Sequence, residues 1–214
     1  REGGGGPGPT MAEATSSSRQ YYIAVGNARM KLPTLTNLLN SLDAAGSRDL
    51  AVVIVCNSRD TLDELVGALS GLQRYACHYL HSDMHAQWRK KVLDGFNGDS
   101  GDSGQDAPRK ILLSSDVCLP RGEPLRRGSR LLINYDLPGK REQLLRRVSL
   151  LLGDASSSGG GDSGKGSGVG SGVGIGPTFI NFLVANEASM LKSLENFASQ
   201  KVEELPLVLS DIFE

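Results

Sequence analysis

Residues 51–56, Ala-Val-Val-Ile-Val-Cys, form an unbroken apolar run with polar residues close on either side. Six residues are short for a helix, and no polar position alternates to face water. The run therefore predicts a strand covered on both faces. Such a strand needs a layer of helices above its sheet and another below. Short apolar runs at 21–25, 75–80, 110–113, 131–133 and 178–184 predict its companions. Between them lie amphipathic stretches. Residues 31–42 place Leu32, Leu35, Leu38, Leu39 and Leu42 at helical spacing, with Pro33 tolerated in the first turn. Ser58 caps a helix whose face is Leu62, Leu65, Val66 and Leu69, and Asp83 is expected to cap another that runs through Phe96. A helix over 142–152 turns Leu144, Leu145, Val148, Leu151 and Leu152 to one side. A last helix, capped by Asn186, runs to about Gln200, and a short apolar coda covers 205–212. Strands alternating with helices predict an α/β domain: a parallel sheet with helices on both faces.

Glycine is concentrated outside these elements. Of 27 glycines, 19 fall in 1–19, 97–108 and 153–176, so the remainder has an ordinary glycine content. Residues 1–19 hold almost nothing to bury and are expected to be a disordered tail, with Met11 a candidate start. The Gly/Ser segments at about 97–108 and 153–176 read as low-complexity insertions within one domain, 20–214. One strand and one helix after 176 are too little to fold alone.

The 23 basic and 24 acidic residues nearly cancel, but unevenly. From Arg121 to Arg147 eight cations face three acids, whereas from Glu187 to Glu214 six acids face two lysines. A basic segment of this kind suits a phosphate-rich partner at one face or simply a solvated surface. Three scattered cysteines, Cys56, Cys77 and Cys118, with no CxxC pair, argue against a disulfide framework or zinc ribbon. No run approaches a membrane span and no signal segment opens the chain, so the expected compartment is cytoplasm or nucleus, with no membrane partner.

Several motif matches are products of composition. Residues 159–165 satisfy GxxxxGK, but Gly166 stands where Ser or Thr must hold magnesium, and neither a strand nor a helix flanks the match. GDSG occurs at 98–101, 101–104 and 161–164, always within Gly/Ser/Asp-rich sequence. Cys77, His78, His81 and His85 are the only cluster of metal-ligand types, and strand alternation sends the first two to opposite faces. No metal site is expected.

What survives is an ordered set of segments. Val53-Ile54-Val55-Cys56-Asn57-Ser58 is similar to VIFCNT, and His81-Ser82-Asp83-Met84 with Arg89 and Phe96 is similar to HGDM…R…F. Ile111–Val117, ILLSSDV, is similar to VLISTDV, and residues 132–138, LINYDLP, match IINYDLP almost throughout. Phe179–Val184 and Glu203-Glu204-Leu205-Pro206 are similar to a closing strand and an acidic turn. In this order the segments resemble the second RecA-like domain of DEAD-box RNA helicases, of the translation-initiation-factor type, across 21–214 apart from the two insertions.

The resemblance implies a single RecA-like, P-loop-NTPase-type domain working as half of a clamp. The other half would carry the phosphate loop and the DEAD carboxylates, and neither motif occurs in residues 1–214. It implies RNA contacts at Asn57, Ser58, Ser82, Arg89, Ser115, Arg121 and Gly122, with hydroxyls at 58 and 115 where the family has Thr. Two departures weaken these contacts. Ala86 stands for the glutamine partner of Arg89, and Ser82 adds a side chain where the family has glycine. The family's His-Arg-Ile-Gly-Arg-x-Gly-Arg run, aligned without gaps, leaves Arg146 and Arg147 as its remnant. Leu150 and Gly153 stand in place of two arginines that would reach the transferred phosphate. Losing one such arginine costs about 10³-fold or more in rate. The expectation is a module with no catalytic residues, no cofactor of its own (ATP only beside a separate first domain), weak RNA binding, and a helicase or translation factor as possible protein partner.

Overall fold

The computed structural model describes residues 18–44, 51–72, 74–98, 108–120, 125, 131–152 and 177–212. The strands are β1 (Arg19–Val25), β2 (Val52–Cys56), β3 (Tyr75–Leu80), β4 (Arg109–Ser115), β5 (Leu131–Asn134), β6 (Thr178–Val184) and β7 (Glu203–Glu204). The helices are α1 (Lys31–Ala44), α2 (Arg59–Leu69), α3 (Ala86–Asn97), α4 (Arg141–Leu152) and α5 (Ala188–Ala198). All strands pair in parallel, in the order β3-β4-β2-β5-β6-β1-β7.

The pleat divides the core in two. Val52, Ile54, Ile111, Leu113, Ile133 and Phe182 pack under α1 and α2, with Leu35, Leu39, Leu62 and Leu65. Val53, Val55, Leu112, Leu132 and Phe179 pack under α3, α4 and α5, with Phe96, Leu144, Val148 and Leu194. Every residue of β2 is buried, which is why its sequence shows no alternation. Each such side chain contributes about 1.5–3 kcal/mol on leaving water. The α/β architecture is as the run at 51–56 requires.

Boundaries needed correction. Arg19 belongs to β1 rather than to a tail, and Asn97 belongs to α3 rather than to an insertion. The rest of the expected tail and insertions lies outside the described residues, except that Ser18, Gly98 and Pro108 are placed. Ser58 does cap α2, accepting from Thr61 N at 3.1 Å. Asp83 does not cap α3: His85 occupies that place, and Asp83 accepts from Arg59 at 3.2 Å instead. Asn186 does not cap α5 either. It lies in a 3₁₀ turn, and the N-cap is Glu187, whose carboxylate reaches back to Val184 N at 3.0 Å. The helix stops at Ala198, where Ser199 turns left-handed at φ 54°. The two-residue strand β7 had no apolar signature to announce it.

His78 is half-buried on β3, its ring edge-on to Phe96 with centroids 5.9 Å apart. Burial first, then the charge of Lys110, lowers its pKa below the usual 6.5. Below about pH 6.5 the unfolded chain therefore binds this proton more readily than the folded one, and stability falls as acid is added. The expected result is a urea midpoint that drops between about pH 7 and pH 5.5, and less so in His78→Leu. Equal slopes in the two proteins would count against it.

Candidate functional site

Ligands of parallel α/β sheets sit outside the carboxyl ends of the strands. Here that edge collects polar residues: Asn57 and Ser58 after β2, Ser82 after β3, Ser115 at the end of β4, and Asn134 to Asp136 from β5. Their roles divide into an internal framework and an outward face.

Arg147 is the centre of the framework. It lies in the middle of the inward stripe of α4 and is 0% exposed. Its Nε donates to Asp116 Oδ1 at 2.8 Å, its Nη1 to Asn134 Oδ1 and Asp136 O, each at 2.8 Å, and its Nη2 to Asn57 Oδ1 at 2.8 Å. One guanidinium thus joins the loops after β2, β4 and β5. Burial lowers its pKa while Asp116 raises it, so the carboxylate compensates for the lost hydration. Asn57 is held on its other side, with Nδ2 donating to Leu137 O at 2.9 Å and backbone N to Asp136 Oδ2 at 3.0 Å. The expected RNA contact at Asn57 therefore falls on a side-chain amide already engaged within the domain.

The framework continues across the sheet. Asn134 Nδ2 donates to Asn181 Oδ1 at 2.6 Å, and Asn181 Nδ2 donates to Tyr21 O at 2.8 Å and Gln20 Oε1 at 3.2 Å. Lys31, 5% exposed, reaches Asp136 at 3.1 Å and Glu187 at 3.7 Å, tying α1 to the ends of β5 and β6. Asp116, Asn181, Gln20 and Lys31 were not singled out from the sequence, whereas Asn134 was expected only as a polar group at a strand end. A signal existed for Asn134 and Asn181. Each interrupts or ends a buried apolar run, and a polar group there needs a partner.

The outward face is smaller. Ser82, Ala86, Arg89, Lys90 and Leu93 form one wall of a pocket of about 700 Å³, and Val117 to Pro120 form the other. Arg89 crosses it, donating from Nη2 to Cys118 O. The pocket thus brings together two of the expected contacts, Ser82 and Arg89. Ser58 stands apart, its hydroxyl engaged with Thr61 at the α2 cap. Ser115 is 6% exposed. Arg121 and Gly122 lie outside the described residues, as do Arg126, Arg127 and Arg130 of the basic segment. Of that segment's arginines, Arg146 is half-buried and bonds Asp116 O at 3.2 Å, and Arg147 is internal. The solvated-face reading fails for Arg147.

Leu150 is 4% exposed and packs in the core beneath α4, whereas Leu145, expected in that stripe, is only half-buried. Gly153 is outside the described residues. The Cys56 thiol is pushed up to about 12 by burial and then by Asp136, far from a reactive thiolate. Among the described residues no three His, Cys, Asp or Glu side chains are grouped to hold a metal, and no helix is long and apolar enough to cross a membrane. His78 packs on Phe96, His81 stacks on Tyr79 and Cys77 bonds Leu69 O, so the candidate ligands diverge.

Comparison with known proteins bears on this arrangement. The family model described as "Helicase conserved C-terminal domain" matches residues 30–149. The ATP-dependent RNA helicase eIF4A of Aspergillus clavatus is 30% identical over 194 residues, which are 91% of this chain and 40% of that protein. The eIF4A of Neurospora crassa matches to the same extent. The chain thus spans about 40% of the length of these relatives. Among solved structures, S. cerevisiae Dbp5 bound to RNA and ADP BeF3 superposes with a TM-score of 0.69 at 16% identity, over 96% of this chain and 48% of that one. E. coli SrmB bound to the regulator of ribonuclease activity A gives 0.60 at 15% identity, over 91% and 92%.

Proposed function

Because this chain belongs to the helicase conserved C-terminal domain family, we propose that it is a non-catalytic helicase-like module. It binds single-stranded RNA weakly through the carboxyl edge of its sheet, and the same edge docks on an RNA helicase or translation partner. One observation carries the reading. At that edge Arg89 and Ser82 line an open pocket of about 700 Å³, while the position aligned with a phosphate-reaching arginine, Leu150, is packed in the core. A guanidinium beside a hydroxyl suits a phosphate oxygen. Asn57 serves the reading indirectly, by holding the loop after β2 in place through Arg147 and Leu137.

The test is retention on a single-stranded RNA oligonucleotide across a salt series. Retention at low salt that falls with added salt is expected. Arg89→Ala should weaken it several-fold and flatten the log–log salt slope by about 0.7 if one phosphate contact is lost. An absence of retention at low salt sinks the RNA reading.

A second reading follows from coverage. The relatives are more than twice as long as the matched region, so this domain could act in trans with a separate ATP-binding domain. Mixing the two and measuring ATP hydrolysis separates the readings. No stimulation is expected, because Leu150 offers no charge to the transferred phosphate.

A further inference from the structure

Helix α4 carries Leu145-Arg146-Arg147-Val148-Ser149-Leu150: two adjacent cations, a hydroxyl two residues after the second, and an apolar residue behind it. A serine kinase with an acidic substrate groove selects this order. Its carboxylates pair with guanidinium groups at the third and second positions before the acceptor, and an apolar hollow takes the residue after it. In the folded chain Ser149 is exposed, with its Oγ donating to Arg146 O at 2.9 Å. The residues the kinase would read are not exposed: Arg147 is 0% and Leu150 4% accessible.

We propose that Ser149 is a phosphorylation site closed by folding, open to a serine kinase that reads arginine only when α4 leaves the sheet. Kinases thread their acceptor segment through the groove in extended form, whereas two positions along a helix are about 200° apart. Ser149 and Arg147 therefore point to opposite sides, and both enter the groove only after the four hydrogen bonds of Arg147 are released and Leu150 is withdrawn. In the step itself the γ-phosphoryl group passes from ATP to Ser149 Oγ. The bond to the β-phosphate oxygen breaks, ADP leaves, and the hydroxyl proton goes to the catalytic aspartate of the kinase. When α4 re-docks, the new charge sits in its last turns, where a helix disfavours an anion. It also lies one turn from Arg146 and competes for it with Asp116, 3.4 Å away. The modified helix re-closes less readily, so phosphorylation biases the domain toward the state in which it was modified.

The test treats the full chain, and separately a peptide of residues 143–152, with ATP and a serine kinase that requires arginine at both upstream positions. Mass spectrometry reads Ser149 apart from Ser129, which follows another arginine pair in Arg126-Arg127-Gly128. The peptide should be labelled at least about 100-fold faster than Ser149 in the intact chain, because labelling of a transiently opened site tracks its open population. Asp116→Asn removes a partner of Arg147 and should raise the rate in the chain about tenfold or more. If that variant proves unfolded, its Ser149 should be labelled at the rate of the peptide. Equal rates for peptide and wild-type chain overturn the closure, as does Asp116→Asn labelled no faster than wild type. A peptide that is never labelled overturns the site.

Discussion

Arg147→Met should cost the domain about 3–5 kcal/mol, because it leaves a buried carboxylate without its cation. Among the described residues, the carboxylate of Asp116, 3% exposed, would be left with the longer contact to Arg146 at 3.4 Å. Asn57 and Asn134 would each lose the donor to their side-chain oxygen, and the Asp136 carbonyl would lose one as well. Domains of this size have about 5–15 kcal/mol in total, so the variant should be largely unfolded near body temperature. Two companions make the measurement specific. Arg146→Ala, on the same helix but partly in water, should cost within about 1 kcal/mol. Adding Asp116→Asn to Arg147→Met should recover part of the loss, since the uncompensated charge disappears. Urea unfolding followed by circular dichroism measures all three. A loss for Arg147→Met no larger than for Arg146→Ala would mean the four hydrogen bonds contribute little.

Leu150→Arg should be nearly as damaging, and for a reason that bears on activity. By alignment it restores a phosphate-reaching arginine, but Leu150 is 4% exposed in the core layer shared with Leu144 and Val148. An arginine there either buries a charge among the apolar side chains of that layer or forces the end of α4 outward. The expected cost is on the order of 3 kcal/mol, with no ATP hydrolysis gained on mixing with an ATP-binding domain. A variant as stable as wild type that gains hydrolysis would show that position 150 faces the cleft and would undo the non-catalytic reading.

These two positions show where the residue pattern was informative and where it was not. Residues 131–134 are legible as a buried strand because Leu131-Leu132-Ile133 can do little else, and α4 is legible from its leucine spacing. Which stripe of α4 faces inward was not legible. The spacing favoured Leu144, Leu145, Val148, Leu151 and Leu152. Leu144 and Val148 are buried and Leu151 packs partly buried against the same core, but Arg147 and Leu150 are buried with them while Leu145 is only half-buried. A charged residue inside the stripe is discounted by any hydrophobic pattern. Its burial depends on Asp116, Asn134 and Asn57, which come from three other strand ends. The helix caps tell the same story at small scale. Ser58 caps as its type suggests, whereas Asp83 is drawn off by Arg59, a residue 24 positions earlier.

The expected RNA contacts were sorted in the same way. Ser82 and Arg89 meet at one pocket, because the loop after β3 leads directly into α3. Asn57, equally polar and equally placed after a strand, turns inward because Arg147 and the Leu137 carbonyl are there to receive it.

Local chemistry was enough for the α/β class, the strands other than β7, the helices and the family resemblance. Continuous apolar runs and leucine spacing are properties of neighbouring residues, and burial on both faces of a parallel sheet leaves few other solutions. Partnership among polar groups is different in kind. Whether an arginine meets a phosphate, the solvent or a buried aspartate depends on which acceptors the fold brings within about 3 Å, and here they come from residues up to 90 positions away. The stretch 131–152 therefore reveals the fold in its order of residues, but it discloses the part played by Arg147 only once β2, β4 and β5 stand side by side.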